Sequence, residues 1–414
     1  MIKIIKFFVF LIIILFSMLW AYENKDKIDS LKGKLKKFKK QSYSAEKSVE
    51  ETINIEANAF NIEIIKLFDL KDKTSFILYE TNETRFNLND IKVYLQNGYV
   101  VSKDKSEQLK LNNNYTLEFN GGLKSIFFYE GNTYGLVTSL KDGCYYASIV
   151  NLNKGAELFN TDCLPKIEED DIIDFNGIGS SIVEEDEYFL ISVGTPTTKA
   201  KNIERLAQNK NSYYGKVLKI NKSQLNENKI TPEIFSIGHR NPQGLTKFNS
   251  EIFSVEHGPK GGDELNKIKK DHNYGWPQVS FGTKYLYDED GSSYLISHED
   301  KGFEPPLFAF IPSVGISALN NCPSKLKNYY KKNCLIALSL NGNNLRPGNS
   351  LIIFLLDNKL EKVQSVEKIF IRSNYALRHF LTNKNNNVFE DEDGSVFVSV
   401  DAKGIYKIKF KDFR

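Results

Sequence analysis

Residues 238–277 read GHRNPQGLTKFNSEIFSVEHGPKGGDELNKIKKDHNYGWP. The stretch sets Arg240, Asn241, Gln243, Glu256, Asp263 and Glu264 among Gly-Pro and Gly-Gly turns and has few long apolar runs. A core segment has no use for so many donors, carboxylates and tight turns together. Arg240 and Asn241 are well matched to a planar polyanion, because a guanidinium offers a flat fork and an amide offers both a donor and an acceptor. Glu256-His257-Gly258-Pro259 and Gly261-Gly262-Asp263-Glu264 supply what calcium takes, carbonyls exposed by tight turns and carboxylates.

The order of these elements over about forty residues resembles the glucose/sorbosone dehydrogenase family, sugar-oxidising six-bladed propellers that use pyrroloquinoline quinone (PQQ) and calcium. The resemblance implies an all-β, six-bladed β-propeller of four-stranded blades. It implies that Arg240, Asn241 and Gln243 contact PQQ and that the carbonyls of Gly258 and Pro259 hold the calcium beneath it. A second, structural calcium falls to Glu264 and the carbonyl of Tyr274. Taken alone, Arg240 and Asn241 could instead tie a loop to neighbouring carbonyls. Asp263 and Glu264 could form a solvated acidic turn beside Lys260 and Lys267.

Outward from this stretch, a strand, a turn and a second alternating strand recur. The pairs are Ser75–Tyr79 with Ile91–Leu95, Tyr134–Ser139 with Tyr145–Val150, and Tyr188–Val193 with Gly215–Ile220. They continue as Glu251–Glu256 with Glu264–Ile268, Cys334–Leu340 with Leu351–Leu355, and Ser395–Val400 with Gly404–Phe410. A spacing of about 60 residues suits four-stranded blades around a channel, although a β-sandwich shows similar alternation. Abundant Tyr (21) and Phe (29) suit strands. A formal charge of +3 gives no reason to expect a nucleic-acid partner.

Residues 1–22, MIKIIKFFVFLIIILFSMLWAY, read as an uncleaved signal anchor, with a cleaved signal peptide as the alternative. Residues 23–57 read as a lysine-rich helical stalk, with Ile28, Leu31, Leu35 and Phe38 at helical spacing, followed by a polar linker from 41 to 57. The propeller is expected over 58–414. Lysines after residue 22 favour a cytoplasmic domain by positive-inside counting. The cysteines favour the periplasmic face or the outside of the cell. Cys144 and Cys163 flank the turn Asn153-Lys154-Gly155 symmetrically, and Cys322 and Cys334 bracket a short loop. Two local disulfides are the simplest of three pairings and need an oxidising compartment.

Other acidic runs, Asp288–Gly291 and Glu390–Asp393, lack the closing Glu of a calcium-binding EF-hand and read as turns. His257, His272 and His298 lack metal-ligand spacing.

Measured against the family pattern, several positions depart. The histidine base is replaced by Asn176, in Asn176-Gly177-Ile178-Gly179-Ser180, and its carboxylate partner by Thr195. The strand Tyr214-Gly215-Lys216-Val217-Leu218 anchors that alignment. A quinone-pairing lysine becomes Asn341, and an Arg-x-Arg-Asp element becomes Ala376-Leu377-Arg378-His379, which keeps Arg378 for the quinone. An amide cannot take a hydroxyl proton at neutral pH, and general-base help is worth roughly 10²–10⁴-fold. His379 is the one histidine beside a site element that could serve instead. Three functions follow: a quinoprotein sugar dehydrogenase with a reworked site, a non-catalytic calcium-stabilised propeller that binds a glycan or a protein, or a calcium-dependent lactonase. The last wants carboxylates converging on a central calcium, which the blade turns do not assemble.

Overall fold

The computed structural model describes residues 51–414 apart from 82, 84, 104, 165–172, 199–200, 228, 284–296, 341–347 and 386. The anchor and most of the stalk, and with them the readings of residues 1–50, lie outside the described residues, as do Asn341 and Asp288–Gly291. Among the described residues no helix is long and apolar enough to cross a membrane.

The fold is all-β and propeller-like. One four-stranded antiparallel group runs Thr74–Tyr79, Ile91–Leu95, Tyr99–Val101, Ser106–Gln108. The second is Leu123–Tyr129, Asn132–Lys141, Cys144–Asn151, Ala156–Asn160, and the third Ile182–Glu184, Tyr188–Val193, Lys216–Asn221, Glu233–Ile237. The fourth is Pro242–Phe248, Glu251–Glu256, Asp263–Ile268, Phe308–Phe310, and the fifth Ile316–Asn321, Asn333–Ser339, Ser350–Leu356, Val363–Phe370. The sixth joins both ends of the described chain: Leu377–Thr382, Val396–Val400 and Gly404–Lys411 pair on to Asn61–Asp69. First strands of successive groups neighbour one another in a ring, which Leu377–Thr382 closes by a short parallel pairing with Thr74–Tyr79. Every expected strand pair falls on adjacent antiparallel strands of one group.

Period-two alternation explains why the groups stack. In Asn333–Ser339, Leu335 and Ala337 pack toward Phe253 and Val255 of the fourth group, whereas Ile336 and Leu338 pack toward Val396 and Val398 of the sixth. Both faces are buried, so the strand reads as a near-continuous apolar run. The seam between the sixth and first groups is aromatic instead, with Phe86 on Phe397 (4.1 Å) and Tyr79 on Phe389 (3.9 Å).

One boundary differs from expectation. The presumed linker ends in a strand, Thr52–Glu56, which pairs antiparallel with Asn61–Asp69 from Thr52↔Ile65 to Glu56↔Asn61. Ile53 and Ile55 turn one face inward, against the sixth group's core, while the rest of this edge strand stays polar, which gave it the look of a linker. Both disulfides form as expected, Cys144–Cys163 and Cys322–Cys334, each with Cα atoms 5.5 Å apart.

Candidate functional site

The ring of first strands leaves an axial cavity of about 50 Å³, to which all six groups contribute, with Ser75, Ser125, Ser180, Gln243, Leu319 and His379 among its walls. Next to it opens a cleft of about 1080 Å³, which shares Ser75, Ser180, Gln243 and His379 with the axial cavity. Arg240, Asn241, Gln243, Gly258, Pro259, Asn176 and Arg378 all line this cleft. The expected quinone ligands and the expected calcium carbonyls are therefore brought together, although they come from the third, fourth and sixth groups or their connections.

Arg240 sits just before Pro242–Phe248 and is almost wholly buried, 8% exposed. Its backbone N–H donates to Glu256 Oε2 (2.9 Å), and its guanidinium stacks on Trp276 with Cζ 5.1 Å from the ring. Nη1 donates to the carbonyls of His257 (3.0 Å) and Gly258 (2.8 Å), and Nε has no partner. A cation thus already rests on the Gly258 carbonyl. Asn241 accepts from Gln243 Nε2 (2.7 Å), and a Cβ on Gly179 would lie 2.2 Å from the Pro242 carbonyl and 2.4 Å from Asn241 Oδ1. That approach of the Gly179 backbone is open only to glycine.

Beneath the Gly258 turn, Asp263 is 1% exposed and is no solvated turn acid. Its Oδ2 accepts the N–H groups of Val314 (3.0 Å), Gly315 (2.6 Å) and Ile316 (3.0 Å), and Oδ1 accepts that of Gly258 (3.2 Å). A buried carboxylate is tolerated when it is fully hydrogen-bonded, and this one clamps two turns of the cleft wall together.

Glu264, Tyr274 and Glu256 line a small neighbouring cavity of about 10 Å³, which shares Arg240, His257 and Gly258 with the cleft. Asn266 Nδ2 bridges the two carboxylates, 2.8 Å from Glu256 and 3.2 Å from Glu264. Burial, and next the neighbouring Glu256, push the Glu264 carboxyl up to about 8. Glu256 in turn is held down, against its burial, by His239 and by the bonds it accepts. His239 bonds Ser236 Oγ (2.8 Å) and Glu256 (3.2 Å) and stacks on Tyr274. Although the order Ser-His-Glu is that of a hydrolytic triad, all three are buried and serve as a structural network. Among the described residues no cluster of three or more His, Cys, Asp or Glu is arranged as a metal site.

Asn176 is exposed, in the one-turn helix Phe175–Gly177 capped by Asp174, whose Oδ1 accepts the Asn176 N–H (2.9 Å). Thr195 does not partner Asn176. Its backbone N–H and hydroxyl both donate to the Arg240 carbonyl (2.8 and 3.0 Å). Arg378 forms a bidentate pair with Asp401. Burial, helped by Arg378, drives His379 down to about 3, so it remains a neutral and very weak base. His257 is pulled below the usual histidine range by burial, and the Arg240 guanidinium adds to the effect.

Two lysines near the site had no role assigned from sequence. Lys216, outside the cleft lining, is fully buried and donates to the carbonyls of Leu206 (2.8 Å), Ala207 (2.9 Å) and Tyr214 (2.6 Å), a structural clamp. Lys124, half-buried at the head of Leu123–Tyr129, lines the cleft. A lone lysine after Gly121-Gly122 carries no signal in one dimension.

A family model described as Glucose / Sorbosone dehydrogenase matches residues 166–407. The quinoprotein glucose dehydrogenase B of Acinetobacter calcoaceticus is 38% identical over 107 residues, 24% of this chain and 21% of that protein. Matches to the curated relatives span 21–29% of those proteins' own lengths. Among solved structures, the soluble aldose sugar dehydrogenase of Escherichia coli in its apo form superposes with a TM-score of 0.63 at 20% identity, covering 84% of this chain and 99% of that one. The PQQ-bound aldose sugar dehydrogenase of Streptomyces coelicolor gives 0.54 at 16% identity, covering 89% and 100%.

Proposed function

We propose, for a chain that belongs to the glucose/sorbosone dehydrogenase family, a six-bladed propeller whose cleft binds a PQQ-type quinone and oxidises a sugar at its anomeric carbon. One observation carries this reading: Arg240, Asn241, Gln243 and Arg378 converge on a single cleft of about 1080 Å³. Two guanidinium groups and two amides in a partly desolvated site suit a planar, multiply anionic ring system. The six groups and their closed ring of first strands support the blade count.

The donor set fits the quinone. When bound, that group supplies a two-electron acceptor. The chain's own part is to hold it on Arg240 and Arg378, to orient it through Asn241 and Gln243, and to leave room for a sugar beside Asn176. Calcium beneath the quinone fits the Gly258 and Pro259 carbonyls once the Arg240 guanidinium turns from Gly258. The structural calcium fits better, since Glu256 and Glu264 are two buried carboxylates with no cation between them among the described residues. The disulfides support a periplasmic or extracellular propeller, and residues 1–22 would then anchor it to the membrane.

A second reading, a non-catalytic propeller that binds a glycan or protein, is favoured by Asn176 at the base position and by Arg240 on the Gly258 carbonyl. Titrating PQQ into the full-length chain by calorimetry, with and without calcium, separates the two. Calcium-dependent binding followed by reduction of an artificial acceptor with sugar is expected. No binding at high micromolar quinone would leave the second reading.

A further inference from the structure

A cleft that oxidises a sugar hydroxyl needs a proton acceptor, and the position expected to hold one is Asn176. The two histidines on the cleft wall are poor substitutes. His379 is depressed to about 3, and a proton on His257 would be buried and beside the Arg240 guanidinium.

Lys124, on the second group, lines the same cleft. Among the described residues its ammonium has a single hydrogen bond, to the Asn120 carbonyl (2.8 Å), and no carboxylate of the described residues pairs with it. The contact is fixed by a short relay. Asn120 Nδ2 donates to Asp174 Oδ1 (3.1 Å), the same oxygen that accepts the Asn176 N–H (2.9 Å). Lys124 and the Asn176 turn are thus tied to one carboxylate and open on to one cleft. Phe119 (φ 51°) and Asn120 (φ 61°) both hold left-handed backbone, a conformation uncommon for residues with a side chain. The turn is therefore imposed by its surroundings, and Asn120 reaches both Lys124 and Asp174 from it.

The charged groups facing Lys124 are Asp174, Arg378 and Lys73. Burial pulls the ammonium down most, the two cations add to that, and Asp174 opposes it, leaving the group at about 7. An ordinary lysine near 10.4 is almost wholly protonated at neutral pH, whereas this one is about half neutral amine. We infer that Lys124 is the general base of this cleft, taking the role that Asn176 cannot fill.

The inference rests on the sugar-oxidising reading of the cleft. With an o-quinone-class oxidant held on Arg240 and Arg378, which would supply the two-electron acceptor, the Nζ lone pair would take the anomeric O–H proton as the C1 hydrogen left with its electron pair to that acceptor. An aldose hemiacetal thereby loses two electrons and two hydrogens and becomes a lactone. The ammonium then returns its proton to solvent through the open cleft.

The test begins with the full-length chain free of quinone. After reductive methylation with ¹³C-formaldehyde, a dimethyl-lysine resonance that is missing from K124R should titrate near neutrality; Lys216, which burial also pushes down to about 7, is told apart because K124R leaves its signal in place. In the quinone-loaded protein, log kcat/KM for sugar should rise with unit slope below that pH and level off above it. K124R keeps the charge but cannot release its proton, so it should bind quinone within about threefold of wild type while losing roughly 10²–10⁴-fold in turnover. K124Q, neutral and without a base, should lose as much turnover and serves if K124R misfolds. A Lys124 resonance in the ordinary lysine range, or K124R turning over like wild type, overturns the base assignment alone. A wild-type chain that binds no quinone overturns the dehydrogenase reading and the base role with it.

Discussion

Replacing Asp263 by Asn tests whether the cleft wall is held as described. The carboxylate is 1% exposed and receives four backbone N–H groups, three on Oδ2 and one on Oδ1. Asparagine has one acceptor oxygen. With that oxygen toward Val314, Gly315 and Ile316, the three bonds persist without charge assistance, and the new NH₂ meets the Gly258 N–H donor to donor. An unmet buried donor costs about 1–3 kcal/mol, and each weakened bond about 0.5 kcal/mol or more. Relief of carboxylate desolvation offsets part of this. The flipped amide is worse, because three N–H groups would then face a donor. A net loss of about 3 kcal/mol is expected for D263N, read as a fall in the urea midpoint with the slope unchanged. Trp276, one of two tryptophans in the chain, lies beside Arg240 and should report the transition by fluorescence. Quinone affinity should fall as well, since Gly258 and Gly315 both line the cleft. A D263N midpoint within about 0.5 kcal/mol of wild type, the range of ordinary surface changes, would refute the clamp.

Millimolar calcium should raise the melting temperature of the full-length chain and fail to do so in E264Q. In calcium-free buffer E264Q should be no less stable than wild type, because it removes a buried acid beside Glu256. Under graded reduction, alkylation and mass spectrometry should find Cys144 and Cys163 labelled first. Cys163 is exposed, whereas Cys322 and Cys334 are 2% and 0% exposed. Losing either bridge should cost about 3 kcal/mol, from loop closure over separations of 19 and 12 residues.

What could be read from sequence, and what could not, follows from how each feature is encoded. Strands such as Asn333–Ser339 are buried on both faces, so their pattern is dense and local; Cys144 and Cys163 lie on either side of a hairpin turn, and Cys322 and Cys334 bracket the short helix Ser324–Tyr330. Thr52–Glu56 was missed because an edge strand keeps only Ile53 and Ile55 to mark it. The role of Asp263 was left open for a different reason. An acid after Gly-Gly reads as solvated, and its N–H partners arrive from Val314–Ile316, about fifty residues along the chain. Arg240 was legible as a recognition residue, but its orientation on to the Gly258 carbonyl depends on Trp276 and Glu256, which only the fold assembles.

Lys124 carries the same lesson into chemistry. Its environment is made by Asp174 from a neighbouring connection, by Arg378 from the sixth group and by Lys73 at the head of the first. In a ring of sheets every first strand ends at the same cleft, so a proton acceptor need not stay on the sheet where a family pattern places it. Asn176 and Lys124 reach one space from opposite sides of the Asn120–Asp174 bond. Loss of a base at one position is therefore weak grounds for calling such a propeller inert. The whole rim has to be searched for a group whose charge burial already opposes, and on this rim that group is a lysine.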